Sequence, residues 1–200
     1  MKHTILIAVV ASALTAAPAI AQYSSTPKTQ PEKKAATSAD TAVAAKDKAF
    51  AKDAALGGMA EVELGTLAKE KASSPDVKKF GERMVTDHTK ANDELKKWAT
   101  EKNLTLPSEL DAKDKATHDR LAKLSGDAFD KAYMADMVSD HVKDVNEFKK
   151  QSTGAKDPDL KAFVTKTLPT LEDHLKEARD VKAKLGATGH GNEGSPAPKK

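Results

Sequence analysis

The hexapeptide Pro75-Asp-Val-Lys-Lys-Phe80 returns as Pro158-Asp-Leu-Lys-Ala-Phe163, and each copy opens a segment that carries an Asp-His pair further on. Proline at a first helical position, behind Ser74 or Asp157 and with an acid in the first turn, is helix-start chemistry. A chain holding two such units has few ways to bury its apolar stripes. Two helical hairpins packed antiparallel make a four-helix bundle. His88 lies 13 residues after its proline and His174 16 after its own. Three residues is close to one turn, so both fall on nearly the same helical face.

Side-chain spacing supplies the helices. The first is predicted from Lys46 to Ala72, with Phe50, Ala54, Gly57, Glu61, Leu64 and Ala68 at helical intervals. The second runs to about Lys102 and carries Val77, Phe80, Met84, His88, Ala91, Leu95 and Trp98 in steps of three and four. After a turn over Asn103 to Pro107, Ser108 is expected to cap a short, weak helix over Glu109 to Leu124. The next long helix starts near Gly126-Asp127 with Phe129, Tyr133, Met137, His141, Val145 and Phe148 on one stripe, and Gly154 ends it. Asp157 starts the last, whose stripe is Leu160, Phe163, Thr167, Leu171, His174, Ala178 and Val181. Pro169 inside that helix predicts a kink one turn before His174. Gly57, Gly58 and Gly65 each weaken the first helix by up to ~1 kcal/mol relative to Ala, which points to close helix approach. With two Tyr, one Trp and few β-branched runs, the reading is an all-α domain.

The flanks differ in kind. Met1 to Ala21 has a basic start (Lys2, His3), an apolar stretch from Ile5 to Ala17 and the small-residue ending Ala19-Ile20-Ala21, the pattern of a signal peptide cleaved before Gln22. Residues 22–45 and 187–200 are poor in large apolar side chains and read as a disordered tether and tail. The bundle then occupies 46–186. No later stretch has the ~20 consecutive apolar residues of a membrane-spanning helix, so a periplasmic or secreted location is expected. The charge of +3 comes from 33 basic and 30 acidic residues. With 1–45 and 187–200 set aside, 46–186 keeps 27 of each. That balance gives no support to nucleic-acid binding.

The chain has no cysteine, which removes disulfides, thiolate metal sites, iron–sulfur clusters and covalent c-type haem. Histidine and carboxylate remain. Met84-Val-Thr-Asp-His88 is echoed by Met137-Val-Ser-Asp-His141 and by Asp173-His174, and all three His lie within apolar stripes. Glu61 lies on the stripe of the remaining helix, and Glu63 points to another side. Three imidazoles and a carboxylate inside a bundle suit a transition-metal ion such as zinc, copper or iron, or a hydrogen-bonded polar core. Adjacent helical residues diverge by about 100°, so Asp87, Asp140 and Asp173 do not share a ligand position with their own His. They are candidates to support a His on another helix, or to end in surface ion pairs. Asn92 and Tyr133 are further candidates around the same centre. The periodic methionines read as core filler rather than a haem pocket, and His3, His118 and His190 receive no role. No nucleophile elbow, phosphate loop or dinucleotide fingerprint appears.

Glu61-x-Glu63-Leu-Gly-x-Leu-Ala68, Met84-Val-x-Asp-His88, Phe129-Asp-x-x-Tyr133, Met137-Val-x-Asp-His141 and Leu168-Pro169-x-Leu-x-x-His174-Leu175 together resemble a secreted bacterial family, domain of unknown function four-one-four-two, over about 46–185. The resemblance implies a ferritin-like bundle and an outer-membrane or periplasmic setting, with no established activity. The di-iron Glu-x-x-His motif of ferritin-like enzymes is absent, because Val85, Val138 and Leu171 stand three residues before the three His. A mononuclear His-rich centre, or a non-catalytic envelope or stress-protective protein with an envelope partner, are the two functional expectations. The oligomeric state is left open.

Overall fold

The computed structural model describes residues 42–188, in which five helices follow one another: α1 (Ala45–Lys71), α2 (Pro75–Glu101), α3 (Ala112–Ala122), α4 (Gly126–Gly154) and α5 (Pro158–Thr188). The predicted signal peptide, nearly all of the tether and the tail beyond Thr188 lie outside the described residues. Among the described residues no helix is long and apolar enough to cross a membrane.

Helices α1 and α2 form one hairpin and α4 and α5 the other, with α2 against α5 and α1 against α4. Two carboxylates fix the directions. Asp47 near the start of α1 accepts from the backbone N–H groups of Lys156 (2.9 Å) and Asp157 (2.8 Å) just before α5. Asp130 near the start of α4 accepts from those of Ser73 (3.2 Å) and Ser74 (2.8 Å) just before α2. Hence α1 and α5 start at one end of the bundle, and α2 and α4 at the other. All neighbouring helices are therefore antiparallel, and residues 102–125 must travel the length of the bundle, carrying α3.

These two carboxylates also expose the register of the duplication. A constant spacing of 83 residues separates Asp47 from Asp130, Ser73 from Lys156 and Pro75 from Pro158. Both Asp side chains are fully buried, and both satisfy helix N-terminal N–H groups that nothing in their own helix can reach. The expected capping by Ser74 is thus corrected, since its side chain makes no cap bond and Asp130 takes its place. At the other junction Asp157 does cap its helix, accepting from Leu160 N–H at 2.9 Å. Likewise Asp111, not Ser108, caps the short helix by accepting from Asp114 N–H.

Apolar side chains fall into two clusters along the bundle. Phe80, Met84, Phe129, Tyr133, Met137 and Ala178 belong to one, and Phe50, Leu95, Trp98, Phe148, Phe163 and Leu171 to the other. Close helix approach occurs where predicted at Gly65, where an added Cβ would lie 2.6 Å from Gly81 O of α2. At Gly57 it does not: nothing lies within 4 Å of such an atom. Pro169 is accommodated inside α5, which runs unbroken from Pro158 to Thr188.

Candidate metal centre

Between the two apolar clusters lies a polar layer, with one member from each long helix: Glu61 from α1, His88 from α2, His141 from α4 and His174 from α5. All four are buried, His141 and His174 completely. The three imidazoles crowd together, with ring centroids 5.3 Å apart for His88–His174 and His141–His174 and 5.8 Å for His88–His141. One nitrogen from each can be chosen so that all lie within 4.8 Å of one another. Glu61 Oε2 is 2.9 Å from His88 Nε2, and Oε1 is 3.2 Å from His141 Nδ1.

The outer bonds of two rings decide which nitrogens face inward. His141 Nδ1 lies 2.9 Å from Met137 O, an acceptor only, so Nδ1 carries a proton and, in the neutral ring, Nε2 keeps a lone pair. His174 Nε2 lies 2.8 Å from Asp87 Oδ2 of α2 and donates to it, which leaves its Nδ1 unprotonated in the neutral ring. Those two free nitrogens are 3.3 Å apart. Two lone pairs at that separation repel unless a proton or a cation lies between them. Glu61 and His88 are close but not hydrogen-bonded. Their 2.9 Å separation is right for an ion pair, but the groups are not aligned as a hydrogen bond, so both Glu61 oxygens and His88 Nε2 are buried without a hydrogen-bond partner. Buried polar atoms are rarely left so, because each costs about 1–3 kcal/mol.

Electrostatics follow from this crowding. Burial pushes the Glu61 carboxyl up, but the facing charges of His88 and His141 prevail and hold it down at about 2. Burial lowers His88, and Glu61 more than reverses that, leaving it above the usual imidazole value. His174 falls to about 4, through burial first and then the other two His, with the Asp87 bond opposing. Asp87 stays below the usual carboxylate range because His174 and Arg83 outweigh its partial burial. Arg83 in turn spans Asp87 (3.2 Å) and Glu177 (2.6 Å), closing the α2–α5 side of the centre.

On the opposite side a cavity of about 560 Å³ reaches the centre, lined by Glu61 and His88 together with Asn92, Asp114, Asp140 and Asp144. Gly57 and Gly58 line it as well. Asn92 fills the space that a Cβ on Gly58 would take. Asp140 lines the cavity and makes no bond to an imidazole; burial and then Glu61 raise its carboxyl. Asp144 is raised further by the same two causes, to about 7.

Of the supporting residues predicted from sequence, Asp87 meets a His of another helix and Asn92 and Asp140 border the approach. Glu63 and Asp173 are both exposed on the wet faces of their helices, because each lies one or two positions off the buried stripe, the surface alternative that the spacing left open. Tyr133 is fully buried, stacked on Phe129 at 5.5 Å. Its hydroxyl has no hydrogen-bond partner, and burial with Glu61 nearby raises its pKa. His118 sits half-buried on α3, 3.4 Å from Asp119 and outside this cluster. Sequence reasoning missed Asp144, although the 83-residue spacing marks it as the counterpart of Glu61. The other members are not duplicated. At the same spacing His141 corresponds to Gly58, His88 to Leu171 and His174 to Ala91. The scaffold is repeated, and the His cluster is not.

Solved structures with this fold include a DUF305 protein from Streptomyces coelicolor thought to be secreted, 16% identical, covering 70% of this chain and 92% of that one at a TM-score of 0.61. A DUF305 fragment from Deinococcus radiodurans is 10% identical, with 72% and 98% coverage and a TM-score of 0.62. CopM in its silver-bound form is 18% identical, with 69% and 96% coverage and a TM-score of 0.58. At these identities the likeness establishes a shared helical bundle and leaves the ferritin-like label without support. No curated protein sequence matches the chain. Residues 32–181 match the family described as Domain of unknown function (DUF4142), three quarters of the sequence, and the chain belongs to that family.

Proposed function

We propose that this protein is an exported metal-binding bundle that holds a single transition-metal ion, of the zinc, copper or iron type, through His88, His141 and His174 with Glu61 as the anionic ligand. The observation that carries the reading is the 3.3 Å separation of His141 Nε2 and His174 Nδ1, each ring committed elsewhere by its outer hydrogen bond. A tetrahedral ion with ligands at about 2.0–2.1 Å puts neighbouring nitrogens about 3.3 Å apart. Glu61, 2.9 Å from His88 Nε2, supplies the negative charge beside the three imidazoles. Asp87 supports the site from outside by fixing the His174 tautomer, as carboxylates commonly do for ligating histidines. No thiolate is present, and imidazole with carboxylate suits borderline divalent ions. The silver-bound state of CopM, a neighbour in fold, is in keeping with a metal role. Export rests on the leader-like residues 1–21 and on the secreted assignment of the Streptomyces neighbour.

Elemental analysis of untagged protein, beside the His88→Ala, His141→Ala, His174→Ala triple variant, tests the reading. One equivalent of metal in the wild type and a trace in the variant is expected, together with a metal-dependent rise in melting temperature confined to the wild type. Equal sub-stoichiometric metal in both, with His substitutions that only lower the melting temperature, supports the non-catalytic envelope protein instead.

A further inference from the structure

The polar layer has two sides that differ in charge. Towards the α2–α5 seam, Asp87 and Glu177 are bridged by Arg83, which shares the Asp87 carboxylate with His174. A cation approaching there meets a fixed positive group. Towards the α1–α4 seam, the cavity runs from solvent to two groups that are more than nine-tenths buried and have unpartnered polar atoms, Glu61 and His88. Asp140 and Asp144 are one turn apart on α4 and so share a face, and Asp114 comes from α3, the helix carried by the long crossover. All three are half-buried, whereas the lysines that also line the cavity, Lys46, Lys113, Lys143 and Lys150, are exposed at its rim.

We propose that this cavity is the route by which a hydrated divalent cation reaches the centre, and that Asp144, with Asp114 and Asp140 ahead of it, takes the ion from water and hands it to Glu61. The inference rests on the metal-centre reading above and adds to it the path and the charge class of the cargo. Carboxylate oxygens exchange readily with the water ligands of a divalent ion, and a cleft in which carboxylates outnumber lysines, with the least exposed of them nearest Glu61, draws cations inward. Among the described residues no methionine lines the cavity, so soft monovalent ions, which favour sulfur, find no matching donors along it. The 83-residue spacing that makes Asp144 the counterpart of Glu61 gives each half of the duplication one carboxylate for the transfer.

The test is stopped-flow loading of metal-free, full-length protein with Zn(II), followed by a chromophoric competitor, for wild type, Asp144→Asn and the Asp114→Asn, Asp140→Asn double variant. Asp173→Asn, the same charge change on an exposed surface, is the control. Loading of Asp144→Asn and of the double variant is expected to slow about tenfold and to lose most of its salt dependence. The equilibrium Kd should stay within about threefold, because a residue on the path speeds both directions. Ag(I) loading, with half the charge and little affinity for carboxylate oxygen, should slow clearly less than Zn(II) loading. Wild-type loading rates in both variants overturn the proposal while leaving the centre intact. Loss of equilibrium binding in Asp144→Asn overturns it in another way, by making Asp144 a ligand. A wild type that takes up no Zn(II) removes the centre itself, and the route with it.

Discussion

Replacing Glu61 with Gln isolates the charge of the buried carboxylate, because glutamine has the shape of the protonated acid. The structure gives the magnitude. Glu61 is held at about 2 instead of 4.5 by the facing imidazoles, after burial has pushed the other way, and at 1.36 kcal/mol per pKa unit that difference is roughly 3 kcal/mol. The raised pKa of His88 reflects the same attraction and is not counted again. A carboxylate held below its ordinary value stabilises the fold above the unfolded pKa and loses that contribution as pH falls through the folded one. Glu61 therefore contributes fully at neutral pH, and its share disappears between about pH 4.5 and 2. Metal-free Glu61→Gln is expected to melt roughly 6–12 °C below wild type at pH 7, at about 2–4 °C per kcal/mol for a domain of this size. The gap should narrow as pH falls towards 2. Added Zn(II) gives a second readout. At a hundredfold excess over Kd it stabilises wild type by about 2.7 kcal/mol, and each tenfold loss of affinity on removing the anionic ligand subtracts about 1.4 kcal/mol. Calorimetric melts with Zn(II) and with chelator measure both. A variant that melts within about 2 °C of wild type at pH 7, and gains as much from Zn(II), refutes both the electrostatic coupling and the ligand role.

Two further predictions concern the scaffold. Gly65→Ala should destabilise by about 2 kcal/mol or more despite alanine's better helix propensity, because its Cβ meets the backbone carbonyl of Gly81 at 2.6 Å and the two helices would have to part. Gly57→Ala, with open space around it, should stabilise by up to about 1 kcal/mol, and denaturant midpoints of the pair measure both effects. Asp130→Ala and Asp47→Ala should each cost about 2–3 kcal/mol, since each leaves backbone N–H groups at a helix start without their acceptor. Hydrogen exchange should then rise at residues 73–78 in the first variant and 156–161 in the second. Unchanged exchange at those starts would remove the capping role.

Periodicity alone determined much of this protein. Steps of three and four placed each residue around its own helix, which is why His88, His141, His174 and Glu61 were legible as inward-facing and why the repeated Pro-Asp starts implied two hairpins. Around-the-helix position is a local property, set by 3.6 residues per turn. Height along the bundle is not local. It depends on how far each helix slides against its neighbours, and here Asp47 and Asp130 set that by reaching from the start of one helix to the start of another. Sequence therefore could not show that the four polar side chains meet at one level, with His141 Nε2 and His174 Nδ1 3.3 Å apart, or that Asp87 serves the His of another helix while Asp173 serves none. The cavity is tertiary in the same sense. Asp144 and Asp140 are ordinary helix-surface acids until α1, α4 and the crossover carrying α3 stand around them. Only that packing brings Asp114 of α3 and the Asp140–Asp144 pair of α4 into one cavity with Glu61.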